Sequence, residues 1–146
     1  MIILNITSIN EKKGSIFVDN FSFITTENHY LGDDKLTFIT IYNLKGKKYT
    51  YMAMESKEDI DSQIIKQKKS TATFLNVSLI NNDKISFFIN EFLLFTVFED
   101  EDKNQKFRVL SFEFNSQKNK KDEFIFNISE SFENINSQII KNKTLI

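Results

Sequence analysis

The segment IDSQIIKQK at Ile60–Lys68 returns 75 residues later as INSQIIKNK at Ile135–Lys143, and this self-similarity limits the fold more than any other feature of the chain. It does not stand alone. LNITSIN at Leu4–Asn10 matches LNVSLIN at Leu75–Asn81 at a displacement of 71, and SIFVDNFSFIT from Ser15 matches SFFINEFLLFT from Ser86 at the same displacement. LTFITIYNLKGKK from Leu36 matches LSFEFNSQKNKK from Leu110 at 74. Order and spacing are both kept, with three extra residues expected in the loop around Glu99–Gln105 and one near Asp122. Length changes confined to loops are what a duplicated structural unit shows, because a strand that slips by one residue turns its buried side chains to solvent. The sequence therefore predicts two units, residues 1–71 and 72–146, joined in one compact body.

Both units read alike. Leu4 and Ile6 alternate with Asn5 and Thr7, and Leu75 and Val77 with Asn76 and Ser78, the period-two pattern of a strand with one buried face. A second strand is expected at Ile16–Val18 and Phe87–Ile89, followed by a bend at Asp19–Asn20 and Asn90–Glu91 before Phe21–Thr25 and Phe92–Val97. Leu36–Tyr42 and Lys47–Met54 form a hairpin around Asn43–Leu44–Lys45–Gly46, with its counterpart around Gln117–Lys118–Asn119–Lys120. Gly46 and Asn119, the two residue types that best accept positive φ, hold matching turn positions. A helix then closes each unit. Ser56 with Asp59 supplies the first cap and Ser131 with Asn134 a weaker second, while Ile60 and Ile64, then Phe132, Ile135 and Ile139, form the apolar stripes. The predicted fold class is α+β: two tandem ββββα repeats, antiparallel sheets each closed by a C-terminal helix, packed as a pseudo-twofold module.

That order of strands and a closing helix, twice in about 70 residues each, resembles the Pur-alpha (PUR) and Whirly repeats, and the resemblance implies binding of single-stranded nucleic acid. The wording of MIILNITSIN, VDNFSFI, LKGKKYTYMAMES and KEDIDSQII is similar to the small FlbD-type domains of bacteria and phages, which implies no chemistry.

Composition removes most enzyme classes. Zero cysteines exclude disulfides, thiolate zinc sites and cysteine nucleophiles, and one histidine, His29, argues against a catalytic triad or a multi-histidine metal site. With 3 glycines a phosphate-cradling loop is nearly excluded. No catalytic residue, metal or cofactor is expected. The amino terminus lacks a signal-peptide pattern, and the most apolar stretch, Ile85–Phe98, is interrupted by Asn90 and Glu91. A cytoplasmic protein with no membrane span is expected. The Asn, Lys and Ile bias, with Arg108 as the only arginine, points to an AT-rich bacterial, phage or mobile-element genome.

Two groups of residues stand out as candidate contacts. The first is a pair of diverged loops: His29, Tyr30, Asp33 and Asp34 in one unit, the acidic run Glu99, Asp100, Glu101 and Asp102 in the other. Divergent loops on a copied frame are where specificity resides. The second is a pair of basic turns, Lys45, Lys47 and Lys48 against Lys118, Lys120 and Lys121, which would present cations to phosphate alongside some of the 16 phenylalanines. A net charge of -1 weighs against the second. The expected function is thus non-enzymatic: occupation of a surface on a protein partner, as in an anti-CRISPR-like inhibitor from a phage or mobile element, with the acidic run suited to a nucleic-acid-binding host protein. The alternative is a PUR-like or Whirly-like protein that binds RNA or single-stranded DNA directly. A monomeric pseudodimer or a homodimer fits either.

Overall fold

A computed structural model describes residues 1–19, 22–43, 46–68, 72–89, 95–102, 105–116 and 120–144. Five strands precede each helix: β1 Ile2–Thr7, β2 Lys13–Val18, β3 Phe23–Leu31, β4 Asp34–Tyr42, β5 Lys48–Ala53 and α1 Lys57–Gln67, then β6 Thr73–Ser78, β7 Lys84–Ile89, β8 Phe95–Asp102, β9 Gln105–Ser116, β10 Lys120–Ile128 and α2 Phe132–Thr144. The expected four become five because β2 and β3 are separate strands; between them the Ser22 hydroxyl donates to Asp19 Oδ1 at 3.0 Å. The chain is α+β with antiparallel pairing between its strands. Among the described residues no helix is long and apolar enough to cross a membrane.

The sheets do not follow the expected division. A five-stranded sheet of order β5-β4-β3-β7-β6 runs across residue 71, joined where Ile24–Glu27 of β3 pair with Ile85–Phe88 of β7. β1-β2 and β10-β9-β8 form two smaller sheets, and the helices do not close every sheet. Successive residues of β3 face opposite ways, which gives the central sheet two cores. On one face Ile24, Ile39, Ile41 and Phe88 meet Ile2, Leu4, Ile16 and Val18 of the first hairpin and Ile60 and Ile64 of α1. On the other, Phe23, Tyr42, Leu75 and Phe87 meet Ile128, Ile135, Phe95, Val97, Phe124 and Phe126. Of the described part of β8, Phe95 and Val97 join the second core while Phe98 is exposed.

The helices also seal strand edges. Outer backbone groups of β1 are held by side chains from α1 and the residue before its cap: Gln67 bonds Ile3 N and O, Gln63 bonds Asn5 N and O, and Glu55 accepts from the Thr7 N–H and hydroxyl. Around β6, Gln138 bonds Asn76 N and O and Glu130 accepts from Ser78 N–H. An edge whose donors and acceptors are occupied cannot recruit a foreign strand. Both caps form as expected, Asp59 N–H to Ser56 Oγ at 3.1 Å and Asn134 N–H to Ser131 Oγ at 3.2 Å.

Register moves the inserted residues. Leu31 pairs with Asp34 and Asp102 with Gln105, a displacement of 71 on both sides of the turn, so the Glu99–Gln105 region carries no insertion. The displacement reaches 75 only beyond β9, which has 12 residues against the 9 of β4. The extra length therefore extends the β9–β10 hairpin. LTFITIY of β4 and LSFEFNS of β9 share an apolar-rich composition, and similar letters matched at the wrong offset still score well.

Candidate functional site

At the end of the β3–β4 hairpin Gly32 and Asp33 form the turn, with Gly32 at φ 63. His29 and Tyr30 are not loop residues, as the sequence suggested, but lie on β3. Their side chains part because neighbours on a strand face opposite sides. The imidazole of His29 stacks on Phe38, ring centroids 4.0 Å apart at 15°, whereas Tyr30 is 65% exposed. His29 also borders a cleft of about 420 Å³ with Asn28, Tyr30, Asn82, Asp83 and Lys84. Beside it, burial and the Asp83 carboxylate push the Glu27 carboxyl above its ordinary range, against a smaller opposing pull from His29. Among the described residues no group of three or more His, Asp or Glu side chains is placed to hold a metal, so His29, Asp33 and Asp34 do not make a ligand set.

The same end of the molecule carries an apolar cleft. Ile9, Leu31 and Met54 line about 350 Å³ together with Leu36, and Asp34 and Lys35 rim it. All three apolar side chains are exposed by 46 to 52%. At displacements of 71 and 75 their counterparts are Ile80, Asp102 and Ser129, so only one of the three stays apolar in the second half.

The acidic run is also strand rather than loop. Glu99, Asp100, Glu101 and Asp102 end β8, with Arg108 opposite Glu99 and Lys106 opposite Glu101 across the ladder. The guanidinium of Arg108 lies 5.7 Å from the centroid of the Phe132 ring, a cation–π contact that ties the hairpin to α2.

The basic turns lie at the far ends of β4 and β9 from these tips. Lys45 and Lys118 fall outside the described residues. Lys47 occupies the first turn and Lys48 opens β5, both exposed. Lys120 and Lys121 open β10, opposite Ser116 and Asn115 of β9. Near Lys47 and Lys48 the structure adds something sequence reading missed: Phe17 of β2 and Tyr49 and Tyr51 of β5, all exposed, line a groove of about 230 Å³ with Asp19, Ser22 and Asn43. Exposed aromatics at alternate positions of β5 were the available sign.

A second missed feature is buried. Lys57 Nζ bonds Asp61 Oδ2 at 2.8 Å and donates to Ser86 Oγ, Ser86 donates to Asp61 Oδ2 at 3.0 Å, and Thr26 donates to Asp61 Oδ1. Ser86 is 1% exposed, and the network pins α1 to the β3–β7 seam. The spacing Lys57 to Asp61 was visible as an i, i+4 pair, but nothing in the sequence marks it as buried. No family model matches the chain, and neither the curated proteins nor the solved structures give a significant match.

Proposed function

We propose that the chain is a non-enzymatic binding protein that acts by occupying a surface of a protein partner. Its frame, on this reading, is a duplicated unit of five strands and a helix, divided near residue 71, with the two halves about a pseudo-twofold. The paired clamps support the duplication: Gln63 on Asn5 and Gln138 on Asn76, Glu55 on Thr7 and Glu130 on Ser78, positions displaced by 75 in the helical segment and 71 in the strand. The β1–β2 and β6–β7 turns agree as well, with Glu11 at φ 62 and Asn82 at φ 72.

The observation that carries the function is the apolar cleft of Ile9, Leu31 and Met54, rimmed by Asp34 and Lys35, whose apolar residues are not all kept in the second half. An apolar centre with a polar rim is the anatomy of a protein contact. The acidic strand end Glu99–Asp102 adds negative charge suited to a partner with a basic channel, such as a host defence nuclease. The test is capture from nuclease-treated host lysate with the wild-type chain and with Leu31→Asp/Met54→Asp. A stoichiometric protein held by the wild type and weakened at least about tenfold by the variant supports the reading. Equal capture by both removes the cleft from the contact.

A second reading is favoured by the groove of Phe17, Tyr49 and Tyr51 beside Lys47 and Lys48: direct binding of RNA or single-stranded DNA by stacking and charge. It requires affinity for a labelled oligonucleotide that falls steeply with salt and falls again in Lys47→Glu/Lys48→Glu.

A further inference from the structure

Among the described residues β2, β5, β8 and β10 each pair on one side only, in a molecule that seals other edges. β1 and β6 have their outer edges clamped by glutamine and glutamate side chains, whereas β2 pairs only with β1, and β8 only with β9, among the described residues. The identity of the open edges is informative. The central sheet is joined by β3 with β7, and displacing those two strands by 71 residues in opposite senses gives β8 and β2. Two of the open edges, β2 and β8, are the counterparts of the edges that meet.

We infer that β2 and β8 of the same chain close onto each other, continuing the β3–β7 ladder and joining the two smaller sheets into one of order β10-β9-β8-β2-β1. The inference rests on the duplication proposed above. It fixes a register. The seam pairs Glu27 with Ile85, Thr26 with Ser86 and Thr25 with Phe87, and their displaced counterparts are Phe98 with Gly14, Val97 with Ser15 and Thr96 with Ile16. Alternation agrees with that register. Ile16 and Val18 of β2 enter the first core and Val97 of β8 packs on the second, so in the closed sheet the two cores sit on opposite faces, as they do at the central sheet. Neither core is unmade by closure.

Closure also accounts for three exposed features. Phe17 and Phe98 are 65% and 66% exposed, while Phe88, the counterpart of Phe17, is 5% exposed in the first core. In the closed sheet Phe17 projects from the face that carries Val97, toward the second core. Phe98 lies opposite Gly14, where a Cβ would meet nothing within 4 Å. An aromatic ring lying across a strand glycine is a recurrent way to cover exposed backbone. Because Phe17 is part of the aromatic groove, pairing β2 with β8 and filling that groove compete.

The chain has no cysteine, which makes disulfide trapping selective. Gly14→Cys/Phe98→Cys is oxidised under mild conditions and run without reductant beside Lys13→Cys/Phe98→Cys, whose first thiol projects from the other face. Closure predicts rapid formation of a compact, cross-linked monomer in the first variant and none in the second. Should Gly14→Cys/Phe98→Cys fail to fold, Ser15→Cys/Val97→Cys tests the same register. Equal cross-linking in the on- and off-register variants, no cross-link in a folded variant, or a cross-linked dimer each overturns the inference. Those outcomes leave the partner cleft untouched, since capture through Leu31 and Met54 is read separately.

Discussion

The side-chain amide of Gln63 holds both backbone groups of Asn5: Oε1 accepts from the Asn5 N–H at 2.8 Å and Nε2 donates to the Asn5 carbonyl at 3.0 Å. A carboxamide is the one uncharged side-chain group that offers a donor and an acceptor side by side, so it imitates the strand that would otherwise pair there. Gln138 does the same to Asn76 at 2.8 and 3.0 Å.

Replacing either glutamine by alanine removes two exposed hydrogen bonds to its strand and reopens an edge; Gln138→Ala also removes the bond from Gln138 Nε2 to Asn134 Oδ1. Each of Gln63→Ala and Gln138→Ala is expected to cost about 1–2 kcal/mol in urea unfolding and to raise the tendency to associate. Matched losses are the expected result of matched clamps. A loss in one variant only would argue against equivalent roles for the two helices.

Asp61 gives a larger effect. Asp61→Ala leaves the Lys57 ammonium, 6% exposed, with Ser86 as its remaining partner in this network and is expected to destabilise by about 3–5 kcal/mol. Removing both charges in Lys57→Met/Asp61→Leu should recover most of that loss, because an apolar pair needs no counter-charge. A double-mutant cycle by chemical denaturation reads the coupling, and a double variant as unstable as the sum of the singles would contradict it.

Much of the fold was legible because buried strands constrain letters. LNITSIN and LNVSLIN could be aligned since Leu4 and Leu75 are both fully buried, and the helix stripes were readable from Ile60, Ile64 and Ile135 for the same reason. Strand partners were not legible. Nothing in the sequence of β3 says that Ile24–Glu27 will take β7 as a neighbour rather than β2, because the apolar pattern specifies a face and not a partner. The site was read in part. Sequence divergence located both hairpin ends, but it cannot show that His29 lies flat on Phe38 or that Ile9, Leu31 and Met54, far apart in the chain, converge on one cleft.

Glu27 predicts a pH effect of unusual sign. Burial and Asp83 raise its carboxyl above the ordinary 4.5, so the folded state disfavours its charged form. A raised carboxyl costs stability at neutral pH, and the cost is relieved as pH falls through the raised value. Glu27→Gln is therefore expected to be more stable than the wild type at pH 7, with the difference vanishing below the unfolded value near 4.5. Urea midpoints at pH 7 and pH 4 check it; a variant no more stable at neutral pH would show that Glu27 gains as much from its neighbours as burial takes.

Glu55 works in the opposite direction. Burial alone would raise its carboxyl, but hydrogen bonds from the Thr7 hydroxyl, the Thr7 N–H and its own backbone outweigh that and hold it below 4.5. A depressed carboxyl contributes stability that is present above the unfolded value and is lost as pH falls through the folded one. Thr7→Val removes the hydroxyl at 2.7 Å yet keeps the backbone donor at 2.6 Å, so the shift should shrink without disappearing. The expected result is a variant weaker than the wild type at pH 7 by about 1 kcal/mol, with the gap narrowing toward pH 3, followed by urea unfolding across that range. A gap constant with pH would assign the loss to the methyl that replaces the Thr7 hydroxyl and not to the charge on Glu55.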